Sequence, residues 1–479
     1  MNTAIPCFIS GKNNMIKYKK MLIANRGEIA VRIIRALKEL NICSIAVYST
    51  ADQHALHTRI ADESICIGDA PAADSYLNTY KLLSAASIKG ADAIHPGIGF
   101  LAENETFPEI CRQCGIDFIG PAGKVIGLMG NKNHAKRIVA KYHIPVIPGS
   151  CQYLTSLNDC IKAVEKMGLP VVLKAVNGGG GKGIRIIRST EEIEGSYEMC
   201  RKEATAAFGG CELIAEKYLE NTRHVEVQIL SDKYGNIIHL GDRECTIQRS
   251  NQKLIEEAVC VNIDRDVRER LYCDAVKIAQ KIRYVGPGTV EFLILPDGTH
   301  YFLEMNTRLQ VEHTITELIT GVDLLKEQIK IFAGERLSLD QSDIKLTGYA
   351  VQCRIIAEDA EKSFRPSYGS ITEWNMPGGP GVRVDSGYRC NDTVTPYYDS
   401  LLAKVCCTAS NKAEAVRKMK MALSEVWIEG IKTNVDFLRY IVEHDDFLMG
   451  NYNERFVGRL MDGYMDERGY TTEAFNIRP

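Results

Sequence analysis

Long apolar runs are missing from this 479-residue chain. None reaches the roughly 18 residues needed to span a bilayer, so the sequence predicts no membrane association and a cytoplasmic location. A charge excess is missing as well, since 58 basic and 61 acidic residues leave a net charge of -3. A nucleic-acid binder would carry a basic excess or stripe, so no nucleic-acid partner is expected. Residues 1–18 lack both the apolar core of a secretory signal and the arginine-rich character of a transit peptide. No function is assigned to them, nor to a tail at 466–479.

Paired cysteine motifs are scarce. The 16 cysteines are scattered, and Cys43, Cys66, Cys353, Cys406 and Cys407 lie in apolar stretches, where a free thiol packs as a small hydrophobe. Cys111 and Cys114 form a lone C-x-x-C without a second ligand pair, which predicts packing rather than zinc. Such usage suits a reducing compartment. Repeats and low-complexity linkers are absent too, and the length allows two to four units.

What is present begins at residue 20. Apolar runs at 21–24, 42–48 and 91–94, with a helical pattern at 29–40, predict a parallel, doubly wound unit. Its ligand edge would be the loop His95 to Phe100, beyond a strand's carboxyl end. No G-x-G-x-x-G follows the first strand, so a nicotinamide cofactor is not expected. A second unit, 131–219, reads as a helix near 133–142, a strand at 171–176, a glycine run at 178–181 and a returning strand at 184–187. Because Lys182 precedes Gly183 and a strand, this run is a flap rather than a phosphate-cradling helix start. Lys174, inside an apolar strand, must reach an edge or a negative partner. The remainder, 220–465, reads as mixed: a hairpin at 289–305, helices near 316–332 and 411–424, and strands near 347–356 and 370–385. The predicted class is α/β, or α+β overall.

The densest chemistry lies at 289–312. Asp297-Gly298 predicts a two-residue hairpin turn, which pairs Glu291 with Glu304. Facing carboxylates repel, and a Mg²⁺ (or Mn²⁺) ion carrying nucleotide phosphates would relieve that. Beyond Glu304, polar residues fall at every second position: Asn306, Arg308, Gln310 and Glu312. An extended chain would set them on one side.

These residues carry a resemblance. Residues 304–312 (EMNTRLQVE) resemble the signature of the biotin carboxylases, within the ATP-grasp superfamily. LIANRGEIA at 22–30, HPGIGFLAEN at 95–104, RHVEVQ at 223–228, GDREC at 241–245, CRIIAED at 353–359 and TPYYDSLLAK at 395–404 continue it over nearly the whole chain. The resemblance implies a doubly wound N-terminal domain (19–130), a mobile lid (131–219) and a core with C-terminal domain (220–465). It implies that Lys132, Lys174, Gly180, Gly181, Glu216, Lys217, Tyr218, Leu219, His224, Gln248, Asn251, Glu291 and Glu304 hold ATP. Glu291, Glu304 and Asn306 would hold the metal. Lys253, Arg308, Gln310, Val311 and Glu312 would hold bicarbonate, with Glu312 as base and Lys253 and Arg308 beside it in catalysis. Arg354 would face the biotin ureido oxygen. The implied partners are a separate biotin carboxyl carrier protein and carboxyltransferase subunits, and the implied assembly is a homodimer serving acetyl-CoA carboxylase, or a split pyruvate or acyl-CoA carboxylase.

Some positions depart from the family pattern. Ser250 and Asn251 stand where the family has arginine and histidine, Ile98 stands for a tyrosine, and Tyr368 for a proline. The M-K-M at 419–421 mimics a biotinylation site, but helical periodicity there predicts Lys420 as an exposed helix lysine. Two rival classes make different demands on the sequence. A carbamoyl-phosphate-forming relative would need ammonia delivery and usually a duplicated core. A non-catalytic scaffold would be expected to lose part of the charged row.

Overall fold

The first apolar runs form β1 (Lys20–Ile23), helix α1 (Gly27–Glu39), β2 (Cys43–Tyr48), β3 (Glu63–Cys66), β4 (Ala93–His95) and β5 (Asp117–Phe118). The five strands make a parallel sheet in the order β3-β2-β1-β4-β5. Its central strands β1, β2 and β4 are mostly apolar and buried because both faces are covered, whereas the edge strands β3 and β5 are part-exposed and carry Glu63 and Asp117. Met21 and Ile23 pack with Ile29, Ile33 and Ile34 of α1, while Leu22 packs the other way, with Ile45, Val47 and Leu82. Asn25, just after β1, donates to the carbonyls of Pro96 and Ile98 at 2.7 and 2.8 Å. Gly97 must be glycine there: φ is +68° and a Cβ would meet Asn25 Nδ2 at 2.8 Å. The structure, a computed structural model, describes residues 16–150, 153–175, 184–208 and 212–469.

The second unit contains α2 (Lys132–Lys141), β6 (Val171–Ala175), β7 (Ile184–Ile187) and β8 (Leu213–Lys217), with antiparallel order β7-β6-β8. Helices Leu157–Met167 and Ile193–Phe208 cover one face of this small sheet, where Cys160, Val164 and Tyr197 meet Val171 and Leu173. Gly180, Gly181 and Lys182 lie outside the described residues.

The third sheet is antiparallel and contains β9 (Arg223–Ser231), β10 (Ile237–Arg249), β11 (Gln252–Ala258), β12 (Gly286–Ile294), β13 (His300–Asn306), β14 (Tyr349–Ile356), β15 (Val382–Ser386) and β16 (Leu401–Ala409). Its order is β13-β12-β9-β10-β11-β14-β16-β15. Glu291 does face Glu304, but not through a two-residue turn. Leu295 N donates to Thr299 O and Gly298 N to Leu295 O, so the loop holds three residues, with Gly298 at φ +80°. A bulge between Glu291 and Phe292 then shifts the register by one and restores the pairing.

Three further expectations need correction. The helix expected near 316–332 is two, α3 (His313–Thr320) and Leu324–Ala333, parted at Gly321 with φ +72°. Cys66 is exposed and Cys43 half-buried, whereas Cys353, Cys406 and Cys407 are buried. Lys420 lies on α4 (Lys412–Glu425), as the periodicity requires, but is half-buried rather than exposed. Among the described residues no helix is long and apolar enough to cross a membrane.

Candidate active site

Alternation along β9 turns His224, Glu226 and Gln228 to one face while Val225, Val227 and Ile229 enter a core. Register then sets a row of charge across neighbouring strands: Arg243 pairs with Glu226, Glu226 with Glu291, and Glu291 with Glu304. Strands sit about 4.8 Å apart, so carboxylates side by side repel unless cations intervene. The cations are present. Arg243 Nε donates to Glu226 at 2.5 Å. Lys253 Nζ lies 2.7 Å from Glu226, 3.4 Å from Glu291 and 2.6 Å from Glu312. His224 Nε2 is 2.6 Å from Glu291, and Lys132 Nζ is 2.6 Å from Glu304.

The polar row after Glu304 is not one extended strand. β13 ends at Asn306, and a bend and a turn carry the chain to Glu312, the residue preceding α3. Asn306 Nδ2 and Gln310 Nε2 still converge on Glu291 Oε1, at 2.7 and 2.8 Å. Arg308 instead turns to Glu103 of the first unit, donating through Nε at 2.9 Å, and to Asn306 at 3.1 Å. Among the contacts of the described residues it therefore meets Glu103 and Asn306 where the sequence put it beside Glu312. The Val311 carbonyl accepts from Lys404 at 3.0 Å. Glu312 receives Arg354 Nη2 at 3.0 Å, while Arg354 Nε donates to Glu256 at 2.5 Å.

Glu226, Glu256 and Glu312 are each 0% exposed, so solvent screens none of them. Burial alone would raise all three carboxyls. It wins at Glu226 and Glu256, which stay above the usual range despite Lys253 and Arg354. At Glu312, Lys253, Arg354 and Arg243 together outweigh burial and hold the carboxyl well below that range. Glu291 is likewise buried and held low by Lys253 and His224. Burial and the neighbouring cations thus pull the four carboxyls in opposite directions, Glu291 and Glu312 downwards and Glu226 and Glu256 upwards.

On the side of the second unit, Glu216 accepts from Lys136 and, at 2.5 Å, from Lys174. Burial opposes its charge, but these two lysines bring its carboxyl down to about 2. Lys217 is engaged by the carbonyls of Gly168 and Leu169, at 3.0 and 2.8 Å. Tyr218 N donates to Pro170 O at 3.1 Å, and Leu219 is half-buried. Gln248 meets His224 at 3.3 Å. Asn251 is exposed at the tip of the β10–β11 hairpin, with φ +65° beside Ser250 at +49°; consecutive positive values make a type I′ turn, where asparagine is favoured. Ile98 is half-buried against the core of the first unit. Hard oxygen donors suit Mg²⁺ or Mn²⁺, and Glu291, Glu304 and Asn306 supply them on one face. Ligand atoms of His224, Glu226 and Glu291 also lie within 4.8 Å of one another.

Sequence reading missed Glu226, Glu256, Glu103 and Lys136. For Glu226 a signal existed, because a carboxylate alternating with valines inside a strand has to find a cation.

A charged antiparallel sheet facing a small lysine-bearing sheet, with a parallel unit ahead of them, is the ATP-grasp architecture. Family comparison narrows the class. The biotin carboxylase N-terminal domain matches residues 17–126, the carbamoyl-phosphate synthase L chain ATP-binding domain 131–340, and the biotin carboxylase C-terminal domain 352–459. Biotin carboxylase 1 of Bacillus subtilis is 48% identical over 440 residues, covering 92% of this chain and 98% of that protein. A pyruvate carboxylase subunit of Methanothermobacter thermautotrophicus is 47% identical over 446 residues, covering 93% and 91%. The biotin carboxylase domain dimer of Hydrogenobacter thermophilus 2-oxoglutarate carboxylase, solved with MgADP, ADP and bicarbonate, superposes with a TM-score of 0.87 at 46% identity, covering 93% of this chain and 99% of that one. The chain belongs to the biotin carboxylase family.

Proposed function

We propose that this site carboxylates biotin on a separate biotin carboxyl carrier protein, using ATP and bicarbonate, as the first half-reaction of acetyl-CoA carboxylase. The observation that carries the reading is Glu312, sealed from solvent and held between Lys253 and Arg354 beside a row of carboxylates. Lys132, Lys174, Glu216, Lys217, Tyr218, Leu219, His224, Gln248 and Asn251 line the nucleotide, and Gly180 and Gly181 close over its phosphates. Glu291, Glu304 and Asn306 hold Mg²⁺, which when bound neutralises phosphoryl charge. Lys253, Arg308, Gln310 and Val311 orient bicarbonate.

In the reaction a bicarbonate oxygen attacks the γ-phosphorus, ADP departs and the bicarbonate proton passes to Glu312. The resulting carboxyphosphate breaks into CO₂ and phosphate. Phosphate removes the proton from biotin N1, and the ureido nitrogen attacks CO₂. Arg354 stabilises the charge that develops on the ureido oxygen. A carboxylate held far below its usual range is a weak base. Bicarbonate and biotin each draw a cation away from Glu312, Lys253 for one and Arg354 for the other, and its basicity rises as they bind.

Residues 19–130, 131–219 and 220–465 serve as N-terminal domain, lid and core. The assembly is a cytoplasmic homodimer working with carrier and carboxyltransferase subunits. Relatives named for pyruvate and 2-oxoglutarate carboxylases keep a second reading in view, a role in another split carboxylase. Bicarbonate-dependent ATP cleavage that rises with free biotin tests the chemistry. Isolation of the native complex, assayed for carboxyl transfer to acetyl-CoA against pyruvate, tests the acceptor.

A further inference from the structure

Lys404 is 0% exposed, and a buried ammonium persists only with partners. Its partners come from three separate parts of the chain. Nζ lies 3.0 Å from Glu28 on α1 and 3.9 Å from Asp385 on β15. Its third contact is a 3.0 Å bond donated to the backbone carbonyl of Val311. Register places it in a row of its own, because Arg354, Lys404 and Asp385 are direct partners across β14, β16 and β15. Direct partners share a face of the sheet. The two cations therefore grip neighbouring residues of one turn, Arg354 through the carboxylate of Glu312 and Lys404 through the carbonyl of Val311. His313, the first residue of α3, adds a 2.8 Å contact from Nδ1 to the Gln310 carbonyl.

We propose that Lys404 is a positioning residue: held between Glu28 and Asp385, it anchors the Val311 carbonyl and thereby fixes where the Glu312 carboxylate stands. This rests on the reading of Glu312 as the base. The two flanking carboxylates balance the ammonium, so Lys404 acts by geometry rather than by adding charge to the site. The same cluster ties the first unit, through Glu28, to the turn that carries Glu312. A purely structural ion pair would link α1 to the sheet and leave the turn alone.

The test compares three variants of the full chain. Lys404→Met with Glu28→Gln removes one charge of each sign, and Asp385 keeps Arg383 at 2.7 Å. Glu28→Gln alone keeps the bond to Val311. Val416→Ala truncates a core residue on α4 remote from the turn. A displacement of about 1 Å costs about 100-fold in rate, so the double variant is expected to lose about that in kcat for bicarbonate-dependent ATP cleavage, with KM for ATP within about twofold. Val416→Ala should keep kcat near the native value even where the melting temperature falls, and Glu28→Gln, which leaves Asp385 and the bond to Val311, should lose less than the double variant. Native kcat in the double variant, or a loss equalled by a Val416→Ala protein of the same melting temperature, overturns the proposal. If the double variant does not fold, Lys404→Arg keeps the charge and alters the donor geometry; lowered kcat supports anchoring and native kcat overturns it. Glu312→Gln is measured alongside. Turnover surviving there defeats the assignment of the base, whereas its loss beside a fully active double variant defeats only the role of Lys404.

Discussion

Lys253 and Glu312 face each other at 2.6 Å, from β11 and from the turn before α3, and the same ammonium reaches Glu226 and Glu291. One cation therefore touches carboxylates from three elements, each of which has a further partner: Arg243 at Glu226, His224 at Glu291 and Arg354 at Glu312. Replacing Lys253 with methionine should destabilise the fold by about 3–5 kcal/mol, the cost of leaving buried charge unpaired. It should also lower kcat by about 10²–10³-fold. Denaturant unfolding and steady-state ATP cleavage measure the two effects.

Arg308 depends on Glu103, a residue of the loop that follows β4. Their contact at 2.9 Å is partly open to solvent, with side chains 21% and 37% exposed, so screening limits its worth to about 1 kcal/mol. Glu103→Gln should raise KM for bicarbonate about fivefold and leave KM for ATP unchanged. Equal effects on both constants would show that Glu103 acts on the fold rather than on Arg308.

His57 and His95 set an acid limit on stability. Burial, the main cause, pushes both imidazoles down to about 4 from an ordinary 6.5. Between those values the unfolded chain takes up protons that the folded chain refuses. Stability is therefore full above about 6.5 and declines as pH falls towards 4, by up to about 3 kcal/mol for each histidine. Melting curves across this window should fall less steeply for His57→Gln than for the native chain.

The hairpin from Arg249 to Gln252 turns on Ser250 and Asn251, both at positive φ. A β-branched residue is strained in that conformation and glycine is not. Asn251→Val should cost about 1–2 kcal/mol, and Ser250→Gly should be neutral or stabilising. If Asn251 also meets the nucleotide, Asn251→Gly keeps the turn and raises KM for ATP.

The central strands β1, β2 and β4 were legible because their runs are mostly apolar, and that pattern is local; the short, part-exposed edge strands β3 and β5, with Glu63 and Asp117, carry no such run. The pairing of Glu291 with Glu304 was also legible, although two local features were hidden. The loop has three residues rather than two, and the bulge after Glu291 takes up the difference. Side-chain period alone does not reveal a bulge. Extending the alternation past Asn306 misplaced Arg308, because nothing between 306 and 312 announces a bend as glycine or proline would. Glu103 and Lys404 stayed hidden for another reason. Their partners lie 205 and 93 residues away along the chain; the first contact exists only once the first and third units have packed, and the second only once the third unit has folded.

The central claim is that a buried carboxylate takes the proton from bicarbonate, and Glu312→Gln tests it most directly. The substitution keeps size and removes the base, leaving one amide oxygen where two carboxylate oxygens accept from Lys253 and Arg354. Bicarbonate-dependent ATP cleavage should fall about 10²–10⁴-fold, with ATP binding measured at equilibrium unchanged. Cleavage that stays within about twofold of the native rate, a spread too small for loss of a general base, would contradict the account.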